Sequence, residues 1–353
     1  MERQQKGMRL SYVHLSRGVA IILIVIGHLN LLFFNQFSYN WFGMGRWERT
    51  GGVDYFFLIT GFMIYYVYHK DLGVKGKAKE FFIKRMIKIY PLYWIFTIIT
   101  LLLMVTIPMW YNNYSFEVLL KSLLLLPTDP IIIPEAWSLP HIMFFYIMFG
   151  CLLFSPKIIK PFIAIWAIAT IFIGLNIIPS QGYFLFSFSS LEVFIGMLLC
   201  YVVLHFKLKY STFMIVIGII GFVIGWLNNV YGFIPVPEPF IFALFSMFIL
   251  VGLAVKDEKE RKIPKVLSFL GDASYSIYIS HSVFLQLYTY VFYELNLIYL
   301  FGYFLSMCII LIFTITSSSI VYIFMEKPIS KKLKKLFAQE NSKKKTPNSK
   351  GIA

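Results

Sequence analysis

Arg17 and His28 lie eleven residues apart in one apolar stretch, residues 16–34 (SRGVAIILIVIGHLNLLFF). Eleven residues is close to three helical turns, so both side chains share a face, about 16 Å apart along the axis. Ionisable groups are costly inside a membrane helix, and such residues mark functional sites. A cation near one end and an imidazole mid-span suit anion binding and general base chemistry, respectively. Arg17 also has a structural reading, in which its long side chain snorkels to lipid headgroups. His28 has one too, a neutral ring hydrogen-bonded across helices.

Four further patches carry chemistry-bearing residues. FFIKRMIKIYP, residues 81–91, holds Lys84, Arg85 and Lys88 just before or at a span start. Their i, i+3 and i, i+4 spacings make a cationic face fit to hold phosphate groups. GGVDYFFLITGF, residues 51–62, places Asp54 at the opposite interface. AWSLPHIMFFY, residues 136–146, brings Trp137, Ser138 and His141, with the tryptophan suited to an interfacial belt. LGDASYSIYISH, residues 270–281, aligns Ser274, Tyr278 and His281 on one face, His281 at a depth close to that of His28. Glu192 is a further intramembrane acid, expected to face a cavity.

The elements that must position these residues are apolar helices. Of 353 residues, 59% are hydrophobic and 19% aromatic, and the mean hydropathy is +0.74. These values exclude a soluble domain and indicate an all-α integral membrane protein. Ten segments approach spanning length: 13–34, 53–69, 86–107, 137–154, 159–178, 185–205, 212–230, 237–255, 273–292 and 298–325. Ten spans put both termini on the same side. With that side cytoplasmic, it collects nearly all the Lys and Arg, and the other keeps only Arg46, Arg49 and Lys121. That asymmetry predicts both termini in the cytoplasm, with residues 1–335 as the transmembrane domain. Residues 336–353 are expected to form a disordered basic tail against lipid headgroups.

The net charge of +15 is thereby explained without a nucleic-acid partner. The three cysteines form no CxxC pair, and no metal site is expected. No GxxxxGK[ST] loop and no GxGxxG motif is present, so nucleotide-driven chemistry has no signal.

Taken in order, LSRGVAIILIVIGH, GGVDYFFLITGF, FFIKRMIKIYPLYW, AWSLPHIMFFY, SLEVFIGM, LGDASYSIYISH and MEKP resemble the acyltransferase family 3 of integral membrane acyltransferases. That family includes O-acetyltransferases of bacterial surface polysaccharides. The resemblance spans residues 15–328. It implies that His28 and Arg17 are catalytic, and that Arg85 and Lys88, with Lys84 beside them, meet an acyl-CoA donor. Asp54, Trp137, Ser138, His141, Glu192, Tyr278 and His281 then fall to the acceptor side or to supporting roles.

Two positions depart from the family pattern. Lys88 stands where many relatives carry a second arginine, keeping the charge but losing the bidentate fork. Ile142 occupies a slot that holds glutamate in many relatives.

The resemblance implies transfer of an acyl group, acetyl by preference, from acetyl-CoA to a hydroxyl of a surface glycan or lipid-linked sugar. No cofactor is expected to be permanently bound, and acyl-CoA is a substrate. The location implied is the cell membrane, as a multi-pass protein, with polysaccharide-assembly proteins as partners. Two other readings fit ten spans with midplane ionisable residues. One is a secondary transporter or lipid-linked sugar carrier. The other, motivated by Ile142, is a non-catalytic acyltransferase relative.

Overall fold

The computed structural model describes residues 10–41, 43, 49–106, 114–174, 177–178, 184–257 and 265–345, and among these there is helix and no strand. The helices are α1 (Ser11–Phe37), α2 (Gly52–Tyr68), α3 (Lys77–Thr106), α4 (Phe116–Leu123), α5 (Leu139–Phe154) and α6 (Pro156–Gly174). They continue as α7 (Phe188–His205), α8 (Ser211–Tyr231), α9 (Glu238–Asp257), α10 (Lys265–Glu294), α11 (Leu297–Val321) and α12 (Lys327–Lys345). Arg46 and residues 346–353 of the expected tail lie outside the described residues.

Among the described residues, eight helical stretches are long and apolar enough to cross a membrane. α2 and α10 are not among them: α2 has 17 residues, and α10 carries a run of serines with Asp272 and His281. Both pack inside the bundle, α2 along α7 and α10 along α1 and α11, while α8 pairs with α9. Large apolar side chains such as Val105, Phe154, Ile165 and Phe213 point outward, and Ser274, Ser276, Ser280 and Thr314 are buried. An apolar exterior around a polar interior is the pattern a bilayer selects, because small hydroxylated residues let helices approach and bond across. Ser280 Oγ, for instance, lies 2.8 Å from Ser318 Oγ, tying α10 to α11.

Three local devices set the geometry of the site. α1 begins with the backbone N–H groups of Tyr12 and Val13 donating to the carboxylate of Asp257 at 2.8 and 3.0 Å. A helix start needs such acceptors, and here one from the end of α9 ties the two helices together. α2 and α7 meet backbone to backbone: a Cβ on Gly61 would lie 1.7 Å from the Val193 carbonyl oxygen, and one on Gly196 1.9 Å from that of Leu58. After α11, Tyr322–Glu326 form a π-helical turn that buries Glu326. Such turns redirect side chains, commonly at functional sites.

Helix α3 starts earlier than the 86–107 expectation. It runs from Lys77 straight through Pro91, although the ring leaves the Ile87 carbonyl without its usual partner. Lys84, Arg85 and Lys88 therefore stand on continuous helix. The tail expected at 336–353 is helical as far as Lys345.

Candidate active site

Arg85 and Lys88 sit one turn apart on α3. The Arg85 guanidinium lies 5.4, 5.5 and 5.9 Å from the ring centres of Tyr68, Phe81 and Tyr146. Its Nη2 donates to Tyr68 Oη at 3.3 Å, and its Nε is buried without a partner. Aromatic walls favour a guanidinium by cation–π attraction while leaving its donors open. Lys88 pairs with Glu326, which also accepts from Ser276 Oγ at 2.5 Å. Arg17 donates through Nη2 to Ser274 Oγ at 3.0 Å and lies 5.9 Å from the Phe56 ring centre. Arg17, Arg85 and Lys88 thus line one cavity of about 130 Å³, which also touches Ile142, Tyr146 and Tyr278. Lys84 does not join them; it is held by Glu80 at 2.6 Å on the surface of α3.

α10 carries the site toward His28. Ser274 receives Arg17, and one turn on Tyr278 lines the cavity. The Tyr278 hydroxyl donates to the Glu135 carbonyl and lies 2.8 Å from Ser138 Oγ. Because the phenol proton goes to a carbonyl, Ser138 is the donor of that second bond. The next residue on this face, His281, is fully buried. Its Nδ1 faces two carbonyl oxygens, Tyr278 at 2.7 Å and Ile277 at 3.1 Å. Carbonyls only accept, so Nδ1 bears the hydrogen. Nε2 is buried with no partner, and the His28 ring lies 5.2 Å away, centre to centre.

His28 is half-buried and lines a second cavity, of about 60 Å³, together with Arg49, Asp54, Thr50 and Trp137. Arg49 organises this chamber. Its Nη1 lies 2.6 Å from Asp54 Oδ1, its Nη2 donates to Ser189 Oγ at 3.1 Å, and its guanidinium sits 5.3 Å from the Trp137 ring centre. Asp54 is fully buried with Oδ2 unpartnered, and Glu192, also fully buried, interacts with it electrostatically. His141 stands behind Trp137, with Nδ1 2.8 Å from Ser190 Oγ and its ring stacked on Phe184 at 4.4 Å.

The twelve residues singled out in the sequence therefore divide. Arg17, Arg85, Lys88 and Tyr278 share the first cavity, and His28, Asp54 and Trp137 the second. His281 touches His28 and lies three residues from Tyr278, linking the two. Ser138, His141 and Glu192 support these walls without lining either cavity, and Lys84 stands apart. Ile142, in the slot that often holds glutamate, faces the three cations.

Sequence reasoning missed Arg49 and Glu326 as site residues. The signal for Arg49 was its place among the three cations expected on the poorly charged side. For Glu326 it was the acid of MEKP within an otherwise basic end.

Searches of curated proteins and of solved structures find no match. The family model described as an acyltransferase domain, Acyl_transf_3, matches residues 10–323, a range that holds every helix lining the two cavities. With cations converging on one chamber and an imidazole pair linking it to another, the chain belongs to the acyltransferase family 3 of membrane proteins.

Proposed function

We propose that this membrane acyltransferase moves an acyl group, acetyl by preference, from cytoplasmic acyl-CoA to a sugar hydroxyl presented on the other side of the cell membrane. One observation carries the reading: three cations converge on a cavity whose α10 wall leads directly to the His28–His281 pair. In this reading α2 and α10 also cross the bilayer, giving ten spans with both termini on the donor side. The distribution of Lys and Arg supports that orientation.

The chemistry follows from the parts. Arg17, Arg85 and Lys88 attract the anionic donor, and its thioester arm enters between Tyr146 and Tyr278. His28 takes the proton of the acceptor hydroxyl as its oxygen attacks the thioester carbonyl carbon. The tetrahedral intermediate collapses, the C–S bond breaks, and the departing thiolate recovers the proton from His28. The products are an ester and free CoA. Trp137, Asp54 and Arg49 offer an aromatic face and hydrogen-bonding groups suited to a sugar ring.

Purified protein in nanodiscs, given radiolabelled acetyl-CoA and a membrane glycan fraction, tests the reading. His28→Ala is expected to lower transfer by about 10²–10⁴-fold while the protein stays monodisperse. Transfer at the wild-type rate by that variant would sink the assignment. Transport of a sugar without acylation would favour the carrier reading.

A further inference from the structure

A third, wider cavity of about 460 Å³ adjoins the one that holds Arg85, and the two share Arg17 and Lys88. Most of its remaining charge comes from α12. Lys327, Lys331 and Lys334 line it, and their spacings of four and three residues put them on one helix face. This helix begins beyond residue 323, where the family match ends. It is held against α3 and the π-helical turn, so its lysines are docked at the cavity mouth.

Two carboxylates also line this cavity. Asp272 lies 3.1 Å from His14 Nε2, and Glu326 is taken by Lys88 and Ser276. Among the described residues, Lys327, Lys331 and Lys334 have no ion-pair partner. Lys334 lies close enough to Lys88 to repel it, and like charges at i, i+4 repel as well. Five cations face this chamber against two carboxylates, a balance of +3 that calls for a ligand carrying several negative charges. The narrower chamber beyond Arg17 and Lys88 suits a thin arm behind that charged head.

Resting on the donor reading above, we infer that Lys327, Lys331 and Lys334 of α12 anchor the phosphates at the nucleotide end of acyl-CoA. Arg17 and Lys88 then mark the threshold where the pantetheine arm enters the inner cavity. The chemistry recognised is a phosphate cluster, which an anionic lipid headgroup also carries, so the test separates the two sources.

Calorimetric titrations of the purified full chain in zwitterionic nanodiscs with CoA, 3′-dephospho-CoA and pantetheine decide it. The wild type is expected to prefer CoA over 3′-dephospho-CoA by about tenfold, the scale of one charge-assisted contact. Lys331→Gln/Lys334→Gln should lose most of that preference, leave pantetheine binding unchanged, and regain CoA affinity as Lys331→Arg/Lys334→Arg. An unaltered preference in the glutamine variant overturns the inference and leaves the donor reading standing. In a parallel series in nanodiscs containing anionic lipid, a loss confined to that series overturns it in favour of a headgroup site. Failure of the wild type to bind any of the three ligands removes the donor reading itself.

Discussion

Asp54 is fully buried, with Arg49 2.6 Å from one carboxylate oxygen and no hydrogen-bond partner on the other. Removing one partner of a buried pair leaves an uncompensated charge, which costs about 3–5 kcal/mol. Arg49→Met is therefore expected to lower stability by that amount, read as a fall in the thermal midpoint of the solubilised protein. Arg49→Met/Asp54→Asn should recover part of the loss, because the stranded charge is gone. A single variant as stable as wild type would show that the pair does not hold this chamber together. At the same scale, His281 is fixed by two carbonyls through Nδ1, and its Nε2 is buried without a hydrogen-bond partner. Ile142 brings a hydrocarbon to a wall of cations, so the carboxylate nearest to that wall comes from Glu326 on Lys88.

Among the elements, the contact of α2 with α7 has the least room. A methyl group on Gly61 or Gly196 would meet main-chain carbonyl oxygens within 2 Å, and backbone cannot rotate aside as a side chain can. Overpacking in a filled core costs about 1–3 kcal/mol, occasionally more. Gly61→Ala and Gly196→Ala are expected at or above the top of that range, seen as loss of monodisperse protein or a large drop in thermal midpoint. Gly174→Ala is the matched control, since its Cβ would make only ordinary contact with Phe240 at 3.6 Å. Equal stability of all three variants would mean that the two helices are free to part. α2 carries Asp54, and α7 carries Ser189 and Glu192, so prying them apart would also open the chamber around Arg49.

For the molecule as a whole, the polar interior of α10 is what keeps it from resembling an ordinary span. Its serines and His281 are satisfied or sheltered by α1 and α11 rather than by lipid. The ten-span reading makes a direct prediction for a cysteine-free background in whole cells. Asn40→Cys and Leu295→Cys, at the poorly charged ends of α1 and α10, should react with an impermeant maleimide. Lys70→Cys and Lys335→Cys should react only after permeabilisation. Labelling of Lys70→Cys in intact cells would mean that α2 does not cross.

What the sequence by itself determined is the membrane class and most of the helices. A bilayer forces backbone groups to bond within each segment, so length and hydropathy are enough to reveal that apolar helices build the chain. Helical periodicity likewise sets which residues share a face, and so Arg17 with His28 and Ser274 with Tyr278 and His281 were legible. Partners across the chain were not. Arg17 meets Ser274 257 positions away, and Lys88 meets Glu326 238 away; spacing along one helix says nothing about its rotation against another. Only the tertiary structure decided that Lys84 is spent on Glu80, that Arg49 centres the second cavity, and that α12 returns to the mouth of the first. Its lysines look identical in sequence to any charge at a membrane surface. Which ones line a cavity is settled by packing, which alone determines where each charge finds, or lacks, a counterion.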